Sequence, residues 1–272
     1  MNRITSCFDN LRNSGRKALI PFVTAGDPEP AATVSIMNAL VEGGADIIEL
    51  GIPFSDPMAD GPTIQQASQR ALAHNTGLAD VTRLVGDFRR ANSTTPVVLM
   101  GYLNPLEALG YKKFTDMAAE AGVDGVLIVD LPPEEAEKLN ILLKEKDIKL
   151  IYLIAPTTGE ERVAKLCEAA SGYLYYVSVK GVTGSNKIDM GSVGEGIDRI
   201  KANTDLPVGV GFGIRDPETA ASIAAVSDAV IVGSVLVEVI ANNQSDVARI
   251  CAELSGLLGA MREKIDSVTA AQ

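Results

Sequence analysis

At 272 residues the chain exceeds the usual domain length of roughly 100 to 200 but fits the roughly 200 to 250 or more of an α/β barrel, so one domain spanning 1–272 is the first expectation. Its 46% apolar and 22% charged residues are those of an ordinary soluble globular protein and exclude a disordered one. The formal charge of -11 repels nucleic acid and anionic membrane at long range, which excludes both as main partners and leaves any phosphorylated substrate dependent on a local binding device.

The first eleven residues alternate charged and apolar side chains, which suits a short N-terminal helix and not an export signal, and no later run approaches the ~20 apolar residues of a membrane span. Cys7, Cys167 and Cys251 are odd in number and far apart, fitting neither a disulfide framework nor a metal knuckle. A reducing cytoplasm is the expected location. The lack of a transit segment favours a bacterial source over a plastid, where a trimmed chain would look the same.

Short apolar runs then alternate with stretches of helical period, the pattern of repeated βα units on a parallel sheet. The strands expected are 18–24, 46–51, 96–102, 125–130, 149–154, 173–179, 207–212 and 229–233. Eight is the number that closes a barrel of this size. Val34, Met37, Leu40 and Val41 form one apolar stripe, and Ala136, Leu139, Leu142 and Leu143 another, each spaced to pack a helix on a sheet. Asp27-Pro28, Pro132-Pro133 and Asp216-Pro217 place proline where helices are expected to start. His74, the only histidine, ends a helical segment at 64–74 and reads as a surface or partly buried side chain, since one imidazole without a carboxylate cluster makes no metal site.

An open doubly wound sheet would show the same alternation, which periodicity alone does not exclude, and the glycine pattern tips the balance: no G-x-G-x-x-G follows the first strand. Glycines gather instead at the ends of the last three strands: Gly181 and Gly184 flank Val182-Thr183, Gly211 and Gly213 flank Phe212, and Gly233 precedes Ser234. Barrels bind phosphate at this place through backbone N–H groups and a helix N-terminus, and glycine permits the close approach. The competing reading is that these are turn glycines only.

The chemistry is densest after the second strand. Strand residues alternate faces, so Ile47, Glu49 and Gly51 share the barrel interior while Ile48 and Leu50 face the helices. A carboxylate among apolar side chains pays for its charge in desolvation, and its pKa rises toward the working pH of a general acid or base. A structural ion pair with a loop lysine or arginine is the alternative for Glu49. Asp56 and Asp60 follow in a loop rich in proline and glycine, of the kind that carries function at this barrel face. A second carboxylate that stays ionised beside one with a raised pKa makes an acid/base pair with separate roles, although an isolated loop aspartate also serves as a turn cap. Asp130, at the end of the fourth strand, reads as a cap of the helix that follows.

Six runs carry a resemblance that covers nearly the whole chain: PFVTAGDP from Pro21, DIIELGIPFSDPMADGPTIQQA from Asp46, GYLNP from Gly101, GVDGVLIVDLPPEE from Gly122, VSVKGVTG from Val177 and VGFGI from Val210. They resemble the tryptophan synthase alpha subunit family, and the second run is the most specific. The resemblance implies a phosphate-binding (β/α)₈ TIM barrel that cleaves indole-3-glycerol phosphate to indole and D-glyceraldehyde 3-phosphate, with no metal and no organic cofactor. It implies that Glu49 and Asp60 carry catalysis, that Phe22, Met100, Tyr102, Tyr175, Thr183 and Phe212 surround the indole and glycerol parts, and that Gly184, Gly213, Gly233 and Ser234 hold the phosphate. It also implies a beta subunit partner in an alpha2beta2 heterotetramer, contacted near Asp56, Pro57, Asn104 and Pro132. Family members often have leucine at the place of Met100, and some have arginine at the place of Val179. The alternatives are a stand-alone lyase that releases free indole, another phosphate-binding barrel enzyme, a Schiff-base aldolase using Lys180, and a non-catalytic subunit that activates a beta partner.

Overall fold

The computed structural model describes residues 2–178, 189–211 and 213–269. In chain order its elements are α1 (Arg3–Asn13), β1 (Ala18–Thr24), a 3-10 turn (Pro30–Ala32), α2 (Thr33–Glu42), β2 (Ile48–Gly51), α3 (Pro62–Ala73), α4 (Leu78–Arg89), β3 (Val97–Gly101), α5 (Leu103–Leu109), α6 (Tyr111–Ala121), β4 (Gly125–Ile128), α7 (Glu137–Glu145), β5 (Lys149–Ile154), α8 (Glu160–Ala169), β6 (Leu174–Val177), α9 (Met190–Lys201), β7 (Val208–Gly211), α10 (Pro217–Ala224), β8 (Ala229–Val232), α11 (Ser234–Asn242) and α12 (Val247–Thr269). Every strand pairs in parallel with its sequence neighbours, and β8 returns to β1, closing the barrel.

The strands alternate as the pattern requires. Ile48 and Leu50 pack in the large outer cluster between sheet and helices, while Ile47 joins Ala18, Ile20, Val98, Leu127, Ile151 and Ile231 in the inner one. On α2 the stripe rotates slightly from its sequence reading: Ile36, Met37, Ala39 and Leu40 are buried, and Val34 and Val41 only partly so. The proline starts are right at α10, where Asp216 accepts from Thr219 N and Pro217 is the first helical residue. They are wrong elsewhere. Pro28 lies in the loop before the 3-10 turn, and Pro132-Pro133 sit in a turn ahead of α7, which begins only at Glu137.

The lower end of the barrel is stoppered by α1. Asn2 caps this helix by accepting from Ile4 N, and its amide donates to the carbonyls of Asp124 and Asp147 at the start of β4 and β5. Ile4, Phe8 and Leu11 are buried against the inner cluster, each stabilising by roughly 1.5 to 3 kcal/mol. Gly125 makes room for them, because a Cβ there would lie 2.9 Å from Ile4 Cδ1. With the floor sealed, the loop after β2, from Gly51 to Pro62, opens at the other, C-terminal end of the barrel. No helix among the described residues is long and apolar enough to cross a membrane.

Candidate active site

Glu49 lies in the middle of β2, between Phe22 of β1 and Val98 of β3, and is completely buried. Among the described residues no ion pair reaches it. Its Oε1 accepts a hydrogen bond of 2.5 Å from the hydroxyl of Tyr173, and its Oε2 has no hydrogen-bond partner among the described residues. Burial raises its pKa from 4.5 to about 7, and the Tyr173 hydrogen bond opposes part of that rise. The structural ion-pair alternative for Glu49 therefore fails within the described residues.

Asp60 hangs from the loop between β2 and α3 and is half-buried. Three contacts shape that loop. The Tyr102 hydroxyl accepts from Ala59 N at 3.1 Å and donates to the Asp60 carboxylate, and Gln65 of α3 donates to the Asp60 carbonyl at 2.9 Å. Helix α3 is itself tied to the β1 loop, where Arg70 donates to both oxygens of the buried Asp27 at 2.7 and 2.8 Å. Burial pushes the Asp60 pKa up and the Tyr102 bond pulls it down. Tyr102, expected as a pocket wall, thus also holds Asp60.

Beside Asp60 and Gly51 runs a narrow cleft, lined by Phe22, Asp60, Met100 and Tyr102, and also by Thr24 and Ser68. Phe22 and Met100 supply apolar walls, Met100 standing beside Gly51 in the β2–β3 register. Tyr175 of β6 is half-buried, and the charges of Glu49 and Asp60 both reach its hydroxyl, whose pKa is raised by burial and by those charges. Its ring fills the space that Gly211 of β7 leaves, since a Cβ there would sit 2.1 Å from the Tyr175 oxygen.

Opposite, Gly233 is the N-cap of α11 and Ser234 its first residue, so free backbone N–H groups point to the mouth beside the ring of Phe22, 3.6 Å from where a Gly233 Cβ would stand. Gly213 follows β7 with φ +78°, a conformation that favours glycine. Thr183, Gly184 and Phe212 lie outside the described residues, as do Val179 and Lys180. Asp56 is exposed and Pro57 partly so, on the loop after β2; Asn104 lies on α5 after β3, and Pro132 after β4, so the four occupy adjacent loops at one side of the mouth. Asp130 joins two of these loops. Its carboxylate accepts from Leu103 N at 2.8 Å, which makes it a cap of α5 from the neighbouring unit and not of the helix that follows it.

Sequence reasoning missed Tyr173, Thr24 and Ser68 as site residues. The signal for the first two was present, because Tyr173 precedes Tyr175 by two positions and Thr24 follows Phe22 by two, which puts each pair on one strand face. His74 is exposed at the end of α3. Among the described residues no group of three or more His, Cys, Asp or Glu side chains is placed to hold a metal ion.

The sequence model of the family described as Tryptophan synthase alpha chain matches residues 8–266. The chain is 57% identical over 268 residues to the tryptophan synthase alpha chain of Marinobacter nauticus, covering 98% of this chain and 99% of the relative. It is 54% identical over 267 residues to that of Methylococcus capsulatus, covering 98% and 100%. Among solved structures, tryptophan synthase subunit alpha from Legionella pneumophila superposes with a TM-score of 0.90 at 44% identity, covering 98% of this chain and 99% of that one. A chain of the tryptophan synthase of Mycobacterium tuberculosis in its aminoacrylate-bound form superposes with a TM-score of 0.86 at 36% identity, covering 97% and 100%.

Proposed function

The chain belongs to the tryptophan synthase alpha chain family, and from that premise we propose that Glu49 and Asp60 perform its chemistry. The reaction is the carbon–carbon lyase step of tryptophan biosynthesis, cleavage of indole-3-glycerol phosphate to indole and D-glyceraldehyde 3-phosphate. The observation that carries the residue assignment is a fully buried carboxyl of pKa about 7 and a second carboxylate, Asp60, whose charges both act on the hydroxyl of Tyr175.

Protonation of indole C3 turns the ring into an electron sink. Asp60 accepts or polarises the indole N–H, stabilising the positive charge of the indolenine. Glu49 delivers the C3 proton and then takes the proton of the adjacent glycerol hydroxyl as the bond between C3 and the side chain breaks, so the pair of electrons returns to the ring and the aldehyde departs. Each proton transfer contributes roughly 10² to 10⁴ in rate. Phe22, Met100 and Tyr175 would hold the ring, with Thr183 and Phe212, and the N-terminus of α11 with Gly184, Gly213 and Ser234 would hold the phosphate. No step needs a metal or an organic cofactor.

The partner in this reading is a beta subunit in an alpha2beta2 assembly, in the cytoplasm. Asp56, Pro57, Asn104 and Pro132 would meet it, and Met58, 84% exposed between Pro57 and Ala59, is an apolar side chain suited to being covered there. Because the same loop carries Asp60, fixing it against a partner would complete the site. The test is the purified chain with indole-3-glycerol phosphate, following indole with and without a beta subunit. Slow cleavage alone and faster cleavage with the partner is the expected result; no indole in either case would refute it.

A further inference from the structure

The hydroxyl of Tyr173 reaches Glu49 from the floor of the barrel. Tyr173 immediately precedes β6, is fully buried, and belongs to the inner cluster with Ile4, Phe8, Ile47 and Ile151. Its ring stands against Phe8 of the stopper helix α1, with centroids 5.8 Å apart and planes tilted by 49°. Among the described residues the only hydrogen bond of its hydroxyl goes to Glu49 Oε1, and Glu49 Oε2 receives none. A buried carboxyl with one oxygen engaged by a donor carries its own proton on the other oxygen, because a proton on the engaged oxygen would face the phenol O–H or force it to turn into apolar surroundings.

We propose that Tyr173 is a positioning residue for proton transfer: held from below by Phe8, it ties down Oε1 of Glu49 and thereby makes Oε2 the oxygen that exchanges protons with substrate. This rests on the assignment of Glu49 made above. The Oε2 proton passes to indole C3, and the resulting carboxylate takes the glycerol hydroxyl proton on Oε2 as the carbon–carbon bond breaks, so the carboxyl ends each turnover neutral. Tyr173 keeps its own proton throughout, its pKa being pushed far up by burial and by Glu49. Tyr173, just before β6, donates to Glu49, and Tyr175 of β6 feels the charges of both Glu49 and Asp60; β1 and β3 present the apolar Phe22 and Val98, and no lysine or arginine among the described residues acts on Glu49.

Tyr173→Phe keeps the ring and removes only the donor. Since that donor lowers the Glu49 pKa, its loss raises it. Activity needs Glu49 protonated at the outset, so it falls as pH rises through this pKa, and in Tyr173→Phe the falling limb of the kcat profile should move to higher pH. On the plateau below the limb kcat should drop on the order of 10-fold through lost orientation, with KM nearly unchanged because Tyr173 does not line the cleft. A structural role alone would lower kcat without moving the limb, and that result overturns the proposal, as does a parental profile. Infrared spectroscopy gives a second reading independent of turnover: the carboxyl C=O band that vanishes in Glu49→Gln should move to higher frequency in Tyr173→Phe, and an unmoved band overturns the proposal. If Glu49→Gln itself stays active, the assignment of Glu49 has failed; if it is inactive while Tyr173→Phe matches the parent, only the role of Tyr173 has failed.

Discussion

Glu49→Gln should make the protein more stable, and increasingly so as pH rises. The carboxyl is fully buried, without a cation, and burial moves its pKa from 4.5 to about 7. A carboxyl whose pKa is raised on folding binds its proton more tightly in the native state, so its contribution is fully present below about pH 4.5 and is lost as pH climbs through 7. For these two pKa values the loss is roughly 1 kcal/mol at pH 5.5 and roughly 3 kcal/mol at pH 8.5. Glutamine has no such proton to lose. The stability gap between variant and parent should therefore widen by about 2 kcal/mol between those pH values, roughly 4 to 8 °C in Tm for a chain of this length. Asp60 titrates in both proteins and cancels. Thermal melts of both at pH 5.5, 7.0 and 8.5 give the answer directly. A gap that stays constant with pH would mean that Glu49 ionises as an ordinary carboxylate, and the account of its chemistry would lose its physical basis.

Two further outcomes follow from glycines at the mouth of the barrel, one at the start of α11 and one at the end of β7. Gly233→Val should raise KM for indole-3-glycerol phosphate about 10-fold or more while leaving indole binding nearly unchanged, because the protein itself tolerates a Cβ there at 3.6 Å from Phe22 and only the phosphate would meet the added side chain; equal weakening of both ligands would remove the phosphate assignment. This position is a cleaner test than Gly213, whose φ of +78° strains any replacement. Gly211→Ala should displace the Tyr175 ring, whose oxygen would lie 2.1 Å from the new Cβ, and should lower kcat/KM about 10-fold with a lower Tm; kinetics indistinguishable from the parent would show that Tyr175 has no part in holding substrate.

Much of this architecture was legible in the sequence because one physical rule, alternation along a strand, decides both the fold and the direction of Glu49. β1 and β5 have the bounds read from their apolar runs, since both sit in long uninterrupted stretches. Strand β2 begins two residues later than read. Asp46 is occupied otherwise, its carboxylate accepting from Leu19 N and from Arg262, so it anchors the floor before pairing begins. The prolines at 132 and 133 misled for a local reason: proline suits a first helical turn, but it equally suits the turn that carries the chain away from β4. Asp130 misled for a non-local one, because the backbone N–H it caps belongs to the preceding βα unit. The partner of Glu49 was hidden in the same way. Nothing in sequence distance links Tyr173 to position 49, and only barrel closure with α1 beneath it brings the phenol to the carboxyl.

The assignment of Glu49 as the group that moves the proton is tested most directly by steady-state cleavage of indole-3-glycerol phosphate by Glu49→Gln beside the parent. The amide has nearly the same shape and cannot carry the proton, so kcat should fall by at least roughly 10² while KM stays within a few-fold. A variant that turns over within a few-fold of the parent would contradict it.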